Sequence, residues 1–66
     1  MLEKIGDSQT NGYGKKYRLS ERRGAAEPYS VHEIMPNGSL EHGRNFQNYN
    51  GAIAHLNARQ AEGLAI

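Results

Sequence analysis

One continuous stretch, Tyr29 to Gly63, constrains the fold more than any other part of this 66-residue chain. It holds two strand-like runs, separated by the turn-forming residues Pro36 to Ser39. Apolar and polar side chains that alternate on either side of such a turn are typical of a β-hairpin with one buried face. A segment with helical spacing follows directly. The pattern therefore predicts a hairpin that packs against a helix.

The hairpin has two alternative registers, and the first places a two-residue turn at Asn37-Gly38. This register pairs Glu33 with His42 and Val31 with Arg44. The apolar side chains that then share one face are Tyr29, Val31, Met35, Leu40 and Phe46. We prefer this register because it keeps the apolar set together and places a carboxylate opposite a histidine.

The second register has a type I turn with Pro36 in its second position and Gly38 as the left-handed residue. It suits the proline better, but it places Glu33 opposite Glu41 and divides the apolar set. A bulge at Gly43 would reconcile the two turn signals, because it adds one residue to the second strand.

The helix is predicted to begin at Asn48 and to end at Gly63. Asn48 is the expected N-cap, since its side-chain oxygen can accept hydrogen bonds from the free amides of the first turn. Gly63 is the expected left-handed residue after the last turn. The side chains that recur with the spacing of a single helical stripe are Tyr49, Ala52, Ile53, Leu56 and Gln60. Such a stripe is typical of a helix that packs on a core.

A further strand is predicted before the hairpin. From Lys15 to Arg22, basic and polar side chains alternate with Tyr17 and Leu19, and the residues up to Pro28 favour a loop. Residues 15–66 are therefore expected to form a single β-β-β-α domain. Its class is α+β, a small two-layer domain in which a three-stranded antiparallel meander packs against one C-terminal helix. Residues 1–14, rich in turn formers, are expected to be a flexible arm or a short edge strand.

The composition limits the functions open to the chain. There is no cysteine, which excludes disulfides and thiolate metal sites. The net charge of +1 argues against a dedicated DNA-binding protein. No apolar run approaches the roughly 18 residues of a membrane span, and no signal-peptide pattern opens the sequence. We expect a soluble, cytoplasmic protein without a membrane partner, in the host cytoplasm if a phage encodes it.

Basic residues are concentrated in one place. Five of the eight lie within nine positions, and we call this group the basic stripe: Lys15, Lys16, Arg18, Arg22 and Arg23. We expect its strand to be an exposed edge of the sheet, where the stripe would steer association with an acidic surface. In the alternative interpretation, the same charges only prevent pairing between exposed edge strands.

Three histidines, His32, His42 and His55, are the side chains expected to titrate near neutral pH. Their spacing fits no zinc motif, so we expect neither a metal nor a cofactor. His42, Arg44 and Glu33 supply the residue types of a small ribonuclease. The helix is expected to cover that face, and a chain this short leaves little room for a substrate pocket. We therefore expect a binding protein and not an enzyme.

From Tyr17 onward, the chain resembles the three-stranded DNA-binding domains of plant ethylene-response factors and of tyrosine-integrase arm-binding domains. The residues that carry the resemblance are Tyr17-Arg18, Arg22-Arg23, Tyr29-x-Val31, Gly38, Gly43 with Phe46, and Ala52-Ile53-Ala54. The resemblance implies that the exposed face of the sheet lies in the DNA major groove. Arg18, Arg22 and His32 would then occupy that face. DNA binding is accordingly the alternative function.

The chain is also similar to small phage-encoded anti-CRISPR proteins. The similarity rests on Asn37-Gly38, on Gly43 to Phe46, and on the capped helix from Asn48 to Leu56. It implies a stoichiometric inhibitor of a large nucleoprotein complex.

A protein-binding function is the preferred prediction, because tyrosine and arginine are the side chains that most often anchor interfaces. The partner is expected to be a protein, alone or within a nucleoprotein complex. Nucleic acid and a second copy of the chain, as a homodimer, are the alternatives. The residues expected to contact the partner are Lys15, Lys16, Tyr17, Arg18, Arg22, Arg23, Arg44 and Tyr49.

Overall fold

The computed structural model describes residues 1–64, which form four strands followed by one helix. The elements are β1 (Glu3–Asp7), β2 (Lys16–Glu21), β3 (Tyr29–Ile34), β4 (Leu40–Phe46) and α1 (Tyr49–Ala61). The strands form one antiparallel sheet in the order β1-β2-β3-β4. The predicted α+β class and C-terminal helix are confirmed. The predicted number of three strands is wrong, because Glu3–Asp7 pairs with β2 as a fourth strand at the edge.

The core lies between α1 and one face of the sheet. Leu19 of β2 and Val31 of β3 are each 1% exposed. They pack with the other buried residues of the cluster, Tyr17, Ala52 and Leu56, and with the partly buried Tyr29, Phe46 and Ile53. These residues come from the inward positions of the strands and from the predicted helical stripe. The two layers are therefore held together by the apolar pattern that the sequence displays.

The hairpin between β3 and β4 has the turn of the second register. The Gly38 N–H donates to the Met35 carbonyl at 2.8 Å, and Gly38 has a φ of 87°. The proline occupies the second position of this turn, where its fixed φ is favourable. As a result Glu33 lies opposite Glu41, and its predicted pairing with His42 is wrong.

A bulge then restores the first register over the rest of the hairpin. β4 supplies two residues where β3 supplies one, and the first of the two, His42, has a φ of 56°. Beyond this point Val31 pairs with Arg44 and Tyr29 with Phe46, as predicted. Each of the two registers is thus correct for part of the hairpin, and the predicted bulge joins them.

The loop between β1 and β2 is hydrogen-bonded to the C-terminal end of α1. Asn11, 5% exposed, donates from Nδ2 to the Arg59 carbonyl at 3.0 Å and accepts from the Lys15 N–H at 2.9 Å. The Gly12 N–H donates to the Glu62 carbonyl at 2.8 Å. The last carbonyls of a helix have no partner within the helix itself. This loop supplies the Glu62 carbonyl with a partner and gives the Arg59 carbonyl a second one, beside the Glu62 N–H at 3.2 Å.

The helix has the predicted ends, with one difference at its start. Asn48 occupies the N-cap position with extended dihedral angles, but its side chain makes no capping hydrogen bond. Gly63 is left-handed, with a φ of 74°, and the Leu64 N–H donates to the Ala61 carbonyl at 3.2 Å. Within residues 1–64, no helix is long and apolar enough to cross a membrane.

Candidate functional site

The candidate site lies on the face of the sheet opposite α1, which we call the open face. Side chains alternate along a strand, so the neighbours of Leu19 and Val31 point away from the helix. The cross-strand pairs that the open face presents are Lys4 with Ser20, Ser20 with Ser30, Ser30 with Asn45, and Arg18 with His32. Within residues 1–64, no second helix or sheet packs against it. A groove of about 480 Å³ runs across this face, lined in part by Arg22, Glu27 and Asn45.

Three buried polar atoms on the open face have no hydrogen-bond partner within residues 1–64. They are Ser20 Oγ, Ser30 Oγ and His32 Nδ1. Ser20 and Ser30 are directly paired across β2 and β3, at 1% and 4% exposure, and His32 lies two residues further along β3. Buried polar groups are nearly always hydrogen-bonded, and an unpaired one costs about 1–3 kcal/mol. Ser30 and His32 line the groove, so a polar ligand bound there would meet these groups once the side chains that cover the atoms move aside.

The bulge in β4 makes room for the His32 imidazole. A Cβ built on Gly43 would lie 2.3 Å from His32 Nε2, so a larger residue there would push the ring away. Burial, together with the positive charge of Arg22, lowers the pKa of His32. The imidazole is therefore neutral at pH 7, with one nitrogen that donates and one that accepts.

Arg18 is held on the open face by a carboxylate of the neighbouring strand. Its Nε donates to Asp7 Oδ1 at 2.8 Å and its Nη2 to Asp7 Oδ2 at 3.3 Å. These hydrogen bonds lower the pKa of Asp7 and raise that of Arg18. Bidentate pairs of this kind are geometrically specific. Arg18 is thus a fixed part of the face rather than a free charge.

Carboxylates neutralise much of the basic stripe, which also does not lie at an edge. β2 is between β1 and β3, so the expected edge position is wrong. Three of the five stripe residues have an acidic partner: Arg18 with Asp7 at 2.8 Å, Arg23 with Glu3 at 3.7 Å, and Lys15 with Glu33 at 3.9 Å. Within the described residues, Lys16 and Arg22 have none. Arg22 is the stripe residue that lines the groove.

The other predicted contact residues lie on the opposite side of the sheet. Tyr17 is 9% exposed in the core, at an inward position of β2, so we remove it from the set of contact residues. The Arg44 guanidinium stacks over the Phe46 ring, 5.4 Å from its centroid. Tyr49 meets Tyr29 edge-on at 5.6 Å and stays partly exposed. Arg44 and Tyr49 therefore cannot act together with Arg22 on one flat interface.

The predicted contact set did not include Ser20 and Ser30, of which Ser30 lines the groove. Each lies at an outward position of a strand, and Ser20 sits between the long side chains of Arg18 and Arg22. A small polar residue in such a place is a signal for a local depression. To bring Ser20 next to Ser30, however, the register between β2 and β3 must be known.

The residues considered for ribonuclease chemistry do share a second, smaller cleft. It measures about 260 Å³, lies between α1 and the β3–β4 hairpin, and is lined by Glu33, His42 and Arg44 together with His55 and Arg59. Within residues 1–64, no group of three or more histidine, aspartate and glutamate side chains is arranged to hold a metal ion.

Comparisons with protein-family models, with curated proteins and with solved structures found no match to this chain. The resemblances drawn from the sequence, to DNA-binding domains and to anti-CRISPR proteins, stay predictions.

Proposed function

We propose that this chain is a small, non-enzymatic protein-binding module whose open face contacts the partner. The observation that carries the proposal is the row of buried polar atoms on Ser20, Ser30 and His32 that have no partner within residues 1–64. These atoms lie on a face that no second layer of the described chain covers. A polar segment bound in the groove would satisfy them after the side chains that cover them move aside, and part of their cost in the free protein would be recovered on binding.

The chemistry of the groove suits a polypeptide. Of the side chains that line it, the Ser30 hydroxyl, the neutral His32 and the Asn45 amide each both donate and accept hydrogen bonds. A polypeptide backbone presents donors and acceptors in alternation, so it can engage such a mixed surface. Arg22 adds a guanidinium, which can hold a carboxylate of the partner in a bidentate pair. We therefore expect the partner to offer a neutral or acidic segment.

The charges and the aromatic residues favour protein over nucleic acid. Affinity for nucleic acid depends on cations that are free to replace counterions, whereas most of the basic stripe is paired with carboxylates. Glu27 adds a negative charge to the groove itself. In the described chain, the aromatic residues lie on the helix side or in the loop before β2, so none offers a stacking surface on the open face. DNA binding is therefore the second candidate.

The narrower form of the proposal is a stoichiometric inhibitor of a nucleoprotein complex. The resemblance to anti-CRISPR proteins suggests it, and a rigid 7.3 kDa domain with one polar face is compatible with such a role. In this form, the module would cover a surface of a protein subunit and exclude the natural ligand of that subunit.

A quantitative capture experiment tests the proposal. The full chain, immobilised by a tag, is exposed to a lysate of the cells in which it acts, which are the host cells if a phage encodes it, with and without nuclease. We expect a protein that is retained after nuclease treatment and in about 0.5 M salt, where exposed charges are screened within a few ångströms. Arg22→Glu should reduce its capture by about tenfold or more, since it places a like charge against the expected carboxylate.

Lys16→Glu is the matched control, because it makes the same charge change at the opposite end of β2, away from the groove. It should change capture by less than about twofold. Both variants must first show wild-type thermal unfolding. If nuclease treatment abolished capture, the chain would bind nucleic acid and not protein. Equal effects of the two variants would show that net charge, and not the groove, determines binding.

A further inference from the structure

The smaller cleft, on the helix side of the sheet, gathers positively charged and titratable side chains from three elements. β3 contributes Glu33, β4 contributes His42 and Arg44, and α1 contributes His55 and Arg59. Tyr17 and Val31 line its buried side. The cleft opens to solvent along the β4 edge, where His42 and Arg44 are exposed. It is separate from the groove of the open face, since the sheet lies between them.

Both guanidinium groups in the cleft are held in place before any ligand binds. The Arg44 guanidinium stacks over Phe46. Arg59 donates from Nη1 to Glu62 Oε2 at 2.6 Å and makes a long hydrogen bond of 3.5 Å from Nε to His55 Nε2. Arginines whose position is already fixed lose less side-chain entropy when they bind an anion. Arg44 has no carboxylate partner within residues 1–64.

Arg44 and Arg59 both face the cleft, but Arg59 is paired with Glu62, so Arg44 is the cation of the lining that has no carboxylate partner within residues 1–64. Burial first, and then the charges of Arg59 and Arg44, lower the pKa of His55, while Glu62 acts in the opposite direction. The carboxylate of Glu33 would oppose an anion, but Lys15 lies 3.9 Å from it and offsets its charge. The balance favours a small anion near Arg44 and His55.

We propose that this cleft binds a phosphate-class oxyanion between Arg44 of β4 and the His55–Arg59 pair of α1. Arginine matches the geometry of phosphate oxygens, and imidazole N–H groups are additional donors. The volume of about 260 Å³ lies below the range of roughly 300–1,000 Å³ typical of larger ligands. A free phosphate ion or the phosphate group of a mononucleotide fits this size. The site goes beyond the proposed function, because it lies on the other face and involves different residues.

Titration of the full chain with inorganic phosphate and with adenosine 5′-monophosphate tests the proposal. Amide and His55 ring resonances are followed by NMR at pH 7 and, for the pKa of His55, over a pH titration with and without the ligand. The chloride concentration is lowered as ligand is added, so that the ionic strength stays constant. We expect saturable shifts at α1 and β4 and a rise in the pKa of His55, because a bound anion stabilises the imidazolium. Similar affinity for both ligands would identify the phosphate group as sufficient, and a preference for the nucleotide would identify a nucleotide site.

Arg44→Gln should weaken the binding by about tenfold or more, since it removes the charge and the bidentate donors. Lys16→Gln, with the same change in charge at an exposed position outside the cleft, should weaken it by less than about twofold. Both variants are checked for wild-type unfolding, and neither alters Arg22, so the capture experiment remains independent. Absence of saturable shifts with either ligand would overturn the proposal. Equal effects of the two variants would do so as well.

Discussion

The two faces of the sheet come from the same strands, yet burial of side chains has opposite effects on stability on the two faces. On the helix side, Leu19 and Val31 are each 1% exposed and pack against apolar groups of α1. On the open face, Ser20 and Ser30 are almost as deeply buried, but their hydroxyls have no partner within residues 1–64. The first kind of burial stabilises the fold and the second costs free energy. Burial alone therefore does not indicate where a protein binds a partner. Buried polar atoms without hydrogen-bond partners are a more specific sign of such a surface.

The edge strands of the sheet are less suited to binding a partner than its open face is. β1 has a bulge between Lys4 and Gly6, and β4 has one at His42. Bulges disturb the row of free N–H and C=O groups that an added strand would need. Both edges are therefore poor templates for β-addition. The alternative interpretation of the basic stripe, protection against edge pairing, does not apply to β2, because β2 lies inside the sheet.

The largest effect that the comparison predicts is on the helix side. Leu56→Ala removes a buried side chain of a five-residue core and should lower the free energy of unfolding by about 2–5 kcal/mol. A domain of this size has little stability to lose, so the variant should be largely unfolded. Urea denaturation followed by circular dichroism measures the change.

Leu64→Ala is the matched control, since Leu64 is an exposed leucine just beyond the same helix. It should change the free energy of unfolding by less than about 0.5 kcal/mol. If the two variants unfolded at the same urea concentration, α1 would not pack on the sheet as described.

The helix side could be predicted from the sequence because its signals are local. Tyr17 and Leu19 show the strand period, and the stripe through Leu56 shows the helix period, so both inward faces were identified. The loop at Asn11 could not be predicted in this way. Its side chain satisfies the Arg59 carbonyl, 48 positions away, and no local pattern indicates which helix end a polar loop will reach.

The site on the open face was predicted only in part, because its residues are brought together from distant positions in the sequence. Alternation placed Arg18 and Arg22 outward, and the structure has them there. Which outward residues become neighbours depends on registers that are set by the turn, the bulge and a fourth strand. The carboxylate of Asp7 that engages Arg18 comes from that strand, within a segment expected to be either an arm or an edge strand.

A smaller effect is expected for the ion pair between Asp7 and Arg18. Asp7→Asn should lower the free energy of unfolding at pH 7 by no more than about 1 kcal/mol, because the pair is partly exposed. Hydrogen bonds from Arg18 lower the folded pKa of Asp7 below its unfolded value. The stabilisation is therefore present above about pH 4 and is lost as the pH falls through the folded pKa. Urea denaturation at pH 7 and near pH 2 should show a difference between the two proteins only at pH 7. A difference that persisted in acid would show that it does not arise from ionisation of Asp7.

The smallest effect should occur at the centre of the open face. Ser30→Ala removes a buried hydroxyl that has no hydrogen-bond partner within residues 1–64, so the free energy of unfolding should change by less than about 0.5 kcal/mol or rise slightly. Ser8→Ala is the matched control. Ser8 is buried to a similar degree, but its hydroxyl donates to the Gln9 carbonyl at 2.8 Å and accepts from the Tyr17 N–H at 3.0 Å.

The control should therefore cost about 1–3 kcal/mol, because it leaves the buried Tyr17 N–H without its acceptor. Comparing Ser8→Ala with Ser30→Ala thus distinguishes a buried hydroxyl that stabilises the fold from one that does not. If Ser30→Ala instead cost as much as Ser8→Ala, the Ser30 hydroxyl would already be satisfied in the free protein. The proposal that the open face binds the partner would then lose the observation that supports it. An unchanged stability combined with reduced partner capture would place Ser30 in the interface, since a residue that supports only the fold cannot produce that combination.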